Sequence, residues 1–501
     1  MTLDRRDVLR AGLLAGGALA LSRGPASPAL ALPRPTLTHG VQSGEVVGGR
    51  ALVWARASSP ARLLVDYSTR PDFRGHRTAR GPWLTPDTDL TGRVRLSGLP
   101  AGRRIHYRVR LDDGRTVSEP ELGSFRTTAK KGQGVRFVWG GDLAGQGWGI
   151  NEEFGGYRIF RAMAEVEPDF FLCSGDLAYT DGPLRETVKL PDGTVWKNMV
   201  TEEKAKVAET LPEYRGQFRY NLMDANFREF NTHVPMVYQW DAHEVRNNWY
   251  PGQILDDGRY HEKNLDVLVG RARRAIHEYV PIEPGTTYRK IPYGPLLDVF
   301  VLDLRSYRNK NTANFETEGP GILGEKQTQW LIRELRRSKA VWKVIANSIP
   351  LGLTGAKGSA QDGVGNRDEG LPLGREREFA EVFGVTSREN ITGLVFLTAE
   401  VHYAAALYYD PAQAAYKDFV PFWEFIAGPL NAGTFKPTRY DSTFGPTTMF
   451  IKGAPRQGAG PADGAQFFGE VEIDCQTREL AVRLRDLDGR ILHLQTLPAP
   501  E

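Results

Sequence analysis

Five segments of this chain run apolar and then stop at residues that bind metals or carry protons. "RFVWGGD" ends at Asp142, and "FFLCSGDLAYTDG" places Asp176 and Tyr179 just past a strand-like run. "MVYQWDAHEVRNN" ends at Asp241, with His243, Glu244, Asn247 and Asn248 beyond it. "FVLDLRSYR" ends near Asp303 and Arg305, and "LVFLTAEVH" ends at Glu400 and His402. Carboxylates lose heavily on leaving water and repel one another when side by side, so such a set needs cations. Oxygen donors suit Ca²⁺, Mg²⁺ or Mn²⁺, and an added imidazole and phenol suit iron or another transition metal. Two ions about 4 Å apart, bridged by one carboxylate, form the arrangement used on phosphate esters, where it activates water and stabilises charge on the transferring phosphoryl group.

Each piece also has a plain structural reading. Gly-Asp makes turns. Asp241 followed by Glu244 has the spacing of a helix capping box. Tyr179 and His243 suit packed, hydrogen-bonded positions, and Trp240, Trp249 and Trp423 suit core or rim packing. Arg305 either grips a phosphate through its fork or pairs structurally with Asp303.

The elements that must position these residues begin near residue 135, where apolar strands alternate with helical segments. The helical segments are "GYRIFRAMAEVE", "LDVLVGRARRAIHEYV", "EKQTQWLIRELRRS" and "REREFAEVFG". Long apolar strands mean burial on both faces, as in an α/β domain whose sheet is covered by helices. Ligands bind at the carboxyl ends of such strands, so distant residues should meet along one edge. Three last strands, "QFFGEVEID", "ELAVRLRDLDG" and "ILHLQTL", are expected at an edge of this domain, giving it residues 135–497. Residues 36–128 instead read as all-β: "RALVWARAS", "ARLLVDYST", "RVRLSGL" and "RIHYRVRL" are short runs spaced by Gly, Pro and Asp turns. That pattern predicts a small two-sheet domain of the immunoglobulin or fibronectin kind. The Gly-rich stretch 354–374 lacks P-loop spacing and reads as a long surface loop.

Composition narrows the function classes. With 41% hydrophobic and 25% charged residues, the chain is globular rather than disordered. A net charge of +3 over 501 residues, without a basic run or recognition motif, argues against nucleic-acid binding. The first 33 residues combine Arg5 and Arg6, an apolar run from Ala11 to Leu21 and small residues at Ala29 and Ala31. These are the parts of a twin-arginine signal peptide, so the mature protein is expected in the periplasm or secreted, without a membrane span. Two cysteines, Cys173 and Cys475, cannot make a disulfide framework, and Cys173 reads as a buried free thiol.

The ordered motifs "GGDLAGQGWG", "CSGDLAYTDGP", "WDAHEVRNNW", "LDLRSYR", "LTAEVHYAAA" and "FWEFIAGPLNAGTF" resemble those of the PhoD-type alkaline phosphatases, within the calcineurin-like metallophosphoesterases. "LTHGVQSGEVVGGRALVWARAS" is similar to that family's amino-terminal β-domain. The resemblance implies a metallophosphoesterase-like β-sandwich flanked by helices, and a site holding Fe³⁺ with Ca²⁺. It implies Asp176 as the bridging ligand, Tyr179 and His402 on iron, and Asp241, Asn248 and Glu400 on the calcium side. Asp142 stands where the best-known members carry cysteine, which leaves room for another transition metal at the first position. Glu400 replaces a common aspartate and is one methylene longer. The expectation is therefore an exported phosphate-ester hydrolase in which Asp176, His402 and Arg305 take part in catalysis. The alternatives are a phosphodiesterase acting on phospholipid or teichoic-acid-like diesters, and a non-catalytic calcium-stabilised binding protein.

Overall fold

A computed structural model describes residues 34–285, 287–355, 361–454 and 456–500. The expected leader, residues 1–33, lies outside them.

The apolar strands are buried on both faces because each separates two cores. In Phe170–Ser174, Phe170 and Leu172 face one core while Phe171 and Cys173 face another. In Leu394–Thr398, Val395 and Leu397 alternate in the same way with Leu394 and Phe396. The period-two geometry of a strand turns a continuous apolar run into two apolar faces.

Two sheets pack face to face through the shared core, which holds Phe137, Leu172, Val299, Val344, Leu397 and Phe425. Among the described residues the first sheet has nine strands, with Val135–Gly140, Phe170–Ser174 and Met236–Gln239 parallel at its middle. The second has seven, with Leu297–Val301, Trp342–Ala346, Leu394–Thr398 and Phe422–Ile426 parallel. Helices Ile159–Glu165, Leu211–Asn221, Ala225–His233 and Leu265–Tyr279 cover the outside of the first sheet. Glu325–Arg337 and Glu376–Arg388 cover the second. The result is a four-layer α/β sandwich, the expected fold class.

Helices Leu211–Asn221 and Ala225–His233 were not expected. Leu211–Asn221 buries Arg215, Gln217 and Asn221 alongside Tyr214 and Phe218, so its inward face carries polar residues that break the apolar periodicity. The last three strands do extend an edge, Phe467–Ile473 pairing with Val135–Gly140. Cys173 and Cys475 are not bonded to each other. Among the described residues no helix is long and apolar enough to cross a membrane.

The amino-terminal strands form a two-sheet sandwich whose core includes Val53, Leu96, Leu63, Val65, Tyr107 and Val109. One of its sheets is continuous with the large sheet: Leu37–Val47 runs parallel to Met236–Gln239, with Gly44 opposite Met236. A Cβ at Gly44 would lie 2.8 Å from the Met236 carbonyl oxygen and 2.5 Å from that of Pro281. Only glycine permits this approach.

Leu397 is fully buried in the shared core. Leu397→Ala is expected to cost about 2–5 kcal/mol, read as a lower urea midpoint. An unchanged midpoint would contradict this packing.

Candidate metal centre

The five strand endings meet at one edge of the sandwich. Asp142 follows Val135–Gly140, Asp176 and Tyr179 follow Phe170–Ser174, and Asp241 follows Met236–Gln239. Arg305 follows Leu297–Val301, and Glu400 and His402 follow Leu394–Thr398. The backbone there is unusual. Asp142, Asp176, Asn248, Glu400 and His402 all have φ between +51° and +69°. L-residues other than Asn and Asp rarely occupy the left-handed region, and residues held there cluster at functional sites. Gly175, at φ +93°, precedes Asp176, and a Cβ on it would come within 2.5 Å of the Asp241 side chain. Thus the Gly-Asp pair brings two carboxylate-bearing loops against each other.

Three donor atoms form a triangle. The Tyr179 hydroxyl lies 3.1 Å from Asp142 Oδ1 and 3.0 Å from His402 Nε2, and His402 Nε2 lies 3.0 Å from Asp142 Oδ1. His402 Nδ1 is bonded to the Gly433 carbonyl oxygen, so Nδ1 carries the ring proton and Nε2 offers a lone pair. One phenolic proton must then serve two acceptors that face each other. A cation resolves that conflict, and the size fits. Ligands bonded at about 2.1 Å and at right angles to one another stand about 3 Å apart. The "GPLNAGTF" segment orients the imidazole, since Phe435 packs against its ring at 4.6 Å.

Beside the triangle, Asp142, Asp176 and Glu400 place carboxylate oxygens within 4.8 Å of one another. Oδ2 of Asp142 and Oδ2 of Asp176 are buried without a hydrogen-bond partner. Asp176 Oδ1 accepts the His243 backbone N–H at 2.8 Å. Burial, followed by the charges of Glu244, Asp241, Glu400 and Asp142, pushes the Asp176 carboxyl well above the usual carboxylate range. Burial and then Asp241 push Glu400 the same way, and burial and then Asp142 raise the Tyr179 phenol. Protein groups alone therefore do not stabilise this set in its ionised form. Two unpartnered carboxylate oxygens, a phenol and an imidazole lone pair fit a cation site.

Asp241 is held differently. Its Oδ1 accepts Arg305 Nε at 2.5 Å, while Arg305 Nη1 reaches both Asp362 oxygens at 3.0 and 3.1 Å. Arg305 Nη2 lies 3.9 Å from Glu400. This corrects the expected side-chain pairing with Asp303, whose carboxylate accepts the backbone N–H groups of Arg305 and Ser306 and the Thr287 hydroxyl but not the guanidinium. The guanidinium is fully buried and engaged by carboxylates. Asp362 sits within the stretch expected to be a surface loop, yet Asp362, Val364 and Asn366 are buried. Burial opposes its ionisation, but Arg305, Arg308 and Arg375 hold its carboxyl below the usual range. No motif marked it. The capping-box reading of Asp241 is half met: Glu244 Oε2 accepts the Asp241 N–H at 2.9 Å, but no helix follows. Glu244 Oε1 also accepts the Leu177 N–H at 2.8 Å, tying two of the loops together.

The centre opens into a cleft of about 550 Å³ lined by Tyr179, His243, Asn248, Glu400, His402 and Phe435, with Arg246 and Arg259 on its wall. Asn248 thus shares the cleft with the expected ligands. The His243 ring stacks on Tyr179 at 4.0 Å, and its Nδ1 is bonded to Asp181 at 2.7 Å. Lys204 is buried behind the site and donates to the Tyr179 carbonyl at 3.1 Å. Trp240 and Trp249 are core residues, in contact at 5.3 Å.

The model of the PhoD-like phosphatase family matches residues 137–484, and that of the PhoD-like phosphatase N-terminal domain matches 24–129. Alkaline phosphatase D of Bacillus subtilis (strain 168) is 27% identical over 474 residues, covering 86% of this chain and 77% of that protein. The solved structure of PhoD superposes with a TM-score of 0.67 at 19% identity, over 92% of this chain and 88% of that one. A purple acid phosphatase from yellow lupin (Lupinus luteus) seeds gives 0.59 at 13% identity, over 93% and 74%. Both structures share the fold.

Removing the Arg305 guanidinium leaves Asp241 and Asp362 buried without their main partner. Arg305→Met is expected to lose about 3–5 kcal/mol of stability, with Arg305→Lys recovering part of it. Urea denaturation of the chelator-treated protein measures this, and wild-type stability in Arg305→Met would show that Arg305 does not hold these carboxylates.

Proposed function

This chain belongs to the PhoD-like phosphatase family, and from that premise we propose that its strand-end centre hydrolyses phosphate esters. The observation that carries the proposal is the pair of buried, unpartnered oxygens on Asp142 and Asp176 beside the Tyr179–His402 donor pair, at the floor of an open cleft. Asp142, Tyr179 and His402 would hold one ion, and Asp241, Asn248 and Glu400 would face a second, with Asp176 between. Fe³⁺ suits the phenol and imidazole position, with another transition metal admitted by the Asp142 carboxylate, and Ca²⁺ suits the all-oxygen position. Bound there, such cations activate water at moderate pH and neutralise charge on phosphoryl oxygens.

The chain's own residues prepare the site. The Gly433 carbonyl fixes the His402 tautomer. Glu244 locks the Asp176 and Asp241 loops to each other. Arg305 acts as a positioning residue, setting the Asp241 carboxylate and lowering the local surplus of negative charge. Asp181 holds His243 through Nδ1, which leaves Nε2 without a protein partner among the described residues. His243 lines the cleft, so that nitrogen faces the space a substrate would enter.

Residues 36–128 form the amino-terminal β-sandwich domain and 135–497 the catalytic domain in this reading. Arg5 and Arg6 before the apolar run Ala11–Leu21 support export through the twin-arginine machinery to the periplasm or beyond.

Asp176→Asn is expected to abolish turnover of p-nitrophenyl phosphate and to lower bound metal, measured by elemental analysis on the same sample. Wild-type turnover in that variant would sink the assignment. Rates on bis(p-nitrophenyl) phosphate decide between monoester and diester hydrolysis. Bound calcium without turnover on either compound would point to a binding protein.

A further inference from the structure

The cleft wall carries two arginines that the hydrolytic centre does not use. Building on the phosphoester-hydrolase reading, we propose that Arg246 and Arg259 form a second anion subsite. The preferred substrate is then a phosphoester whose leaving portion bears a further phosphate or carboxylate.

Arg246 and Arg259 line the same cleft as Tyr179, Asn248 and His402. Their bonding is unequal. Arg259 grips Asp257 with Nε at 3.1 and 3.2 Å and Nη2 at 2.7 Å, and its Nη1 donates to the Asp181 carbonyl at 3.2 Å. Arg246 reaches the same carboxylate only at 3.7 Å, beyond hydrogen-bond range. Its Nη1 donates to the Asn247 carbonyl at 3.2 Å, and its Nε is buried without a partner. Asp181, which also lines the cleft, already accepts His243 Nδ1 and the Asn247 N–H. One carboxylate therefore serves two guanidinium groups, and the less served of them borders the cleft two residues from Asn248.

A guanidinium in that state binds phosphate or carboxylate oxygens through charge-assisted hydrogen bonds. The space is adequate. A cleft of about 550 Å³ falls among pockets that hold whole small molecules, about 300–1,000 Å³, so there is room beyond the reacting phosphoryl group. Phe435 on the rim offers an apolar surface to the carbon skeleton between the two anions. Binding energy taken from such a remote group improves placement of the reacting one.

The test compares fructose 1,6-bisphosphate with fructose 6-phosphate on the metal-loaded enzyme. The wild type is expected to favour the bisphosphate at least tenfold in kcat/KM. The double variant Arg246→Met, Arg259→Met should lose that preference chiefly through KM, with its urea midpoint confirming the fold. Arg246→Lys, which keeps the charge, should retain part of it. Equal kcat/KM for both sugars in the wild type, or an undiminished preference in the double variant, would overturn the subsite and leave the hydrolase reading standing. Calorimetric titration with the same two sugars separates the reverse case. If neither is hydrolysed yet the bisphosphate binds at least tenfold tighter, and only with the arginines present, the subsite stands and the hydrolase reading falls.

Discussion

Buried carboxylates crowded at one point are the constraint on which the rest of this structure depends. Asp142, Asp176 and Glu400 bring oxygens within 4.8 Å of one another, with Asp241 and Glu244 close behind. Water does not reach them freely, so their mutual repulsion is poorly screened. The fold answers on one side with a fixed protein charge, Arg305, whose guanidinium also spans Asp241 and Asp362. On the other side, among the described residues, no lysine or arginine pairs with Asp142 or Asp176. There the fold presents a phenol, an imidazole lone pair and two unpartnered carboxylate oxygens, which is chemistry suited to an ion. Function follows from that division, since an ion held by such donors would supply positive charge and activated water beside the cleft.

Holding these groups together sets demands on the backbone that extend well beyond the site. Five of the residues concerned sit at positive φ, a conformation that persists only where the surroundings over-determine it. The surroundings here are parallel strands buried on both faces, which fix where each strand ends and hence where each turn begins. Second contacts complete the frame: Glu244 accepts from two loops, Lys204 supports the Tyr179 carbonyl, and the Gly433 carbonyl sets the His402 ring. The amino-terminal sandwich joins the same frame through Gly44, which runs beside Met236 in the strand that leads to Asp241.

Much of this was legible in the sequence because it is written in local signals. Apolar runs ending in Asp, Glu or His marked the strand ends, and the carboxyl-end rule then brought Asp142, Asp176, Glu400 and His402 together. Helices such as Glu325–Arg337 were visible because their buried positions, Leu331, Ile332 and Leu335, keep a helical spacing. What escaped notice depends on tertiary context. Asp362 lies in a Gly-rich stretch that looks like solvent-exposed loop, and only the buried Arg305, Arg308 and Arg375 explain its place. The partner of Arg305 was misread because Asp303, two residues away, is the local choice, whereas Asp241 and Asp362 are brought near by the fold. The continuity of the amino-terminal sheet with the large one rests on a single parallel pairing and leaves no pattern to find.

The central claim is that cations complete the charge balance of this centre, and elemental analysis paired with thermal unfolding of one preparation tests it most directly. The purified protein should carry a transition metal in stoichiometric amount together with calcium, and stripping both with a chelator should lower its unfolding midpoint, with recovery on adding them back. A protein that is metal-free as isolated, and whose midpoint neither chelation nor added ions move, would contradict the account.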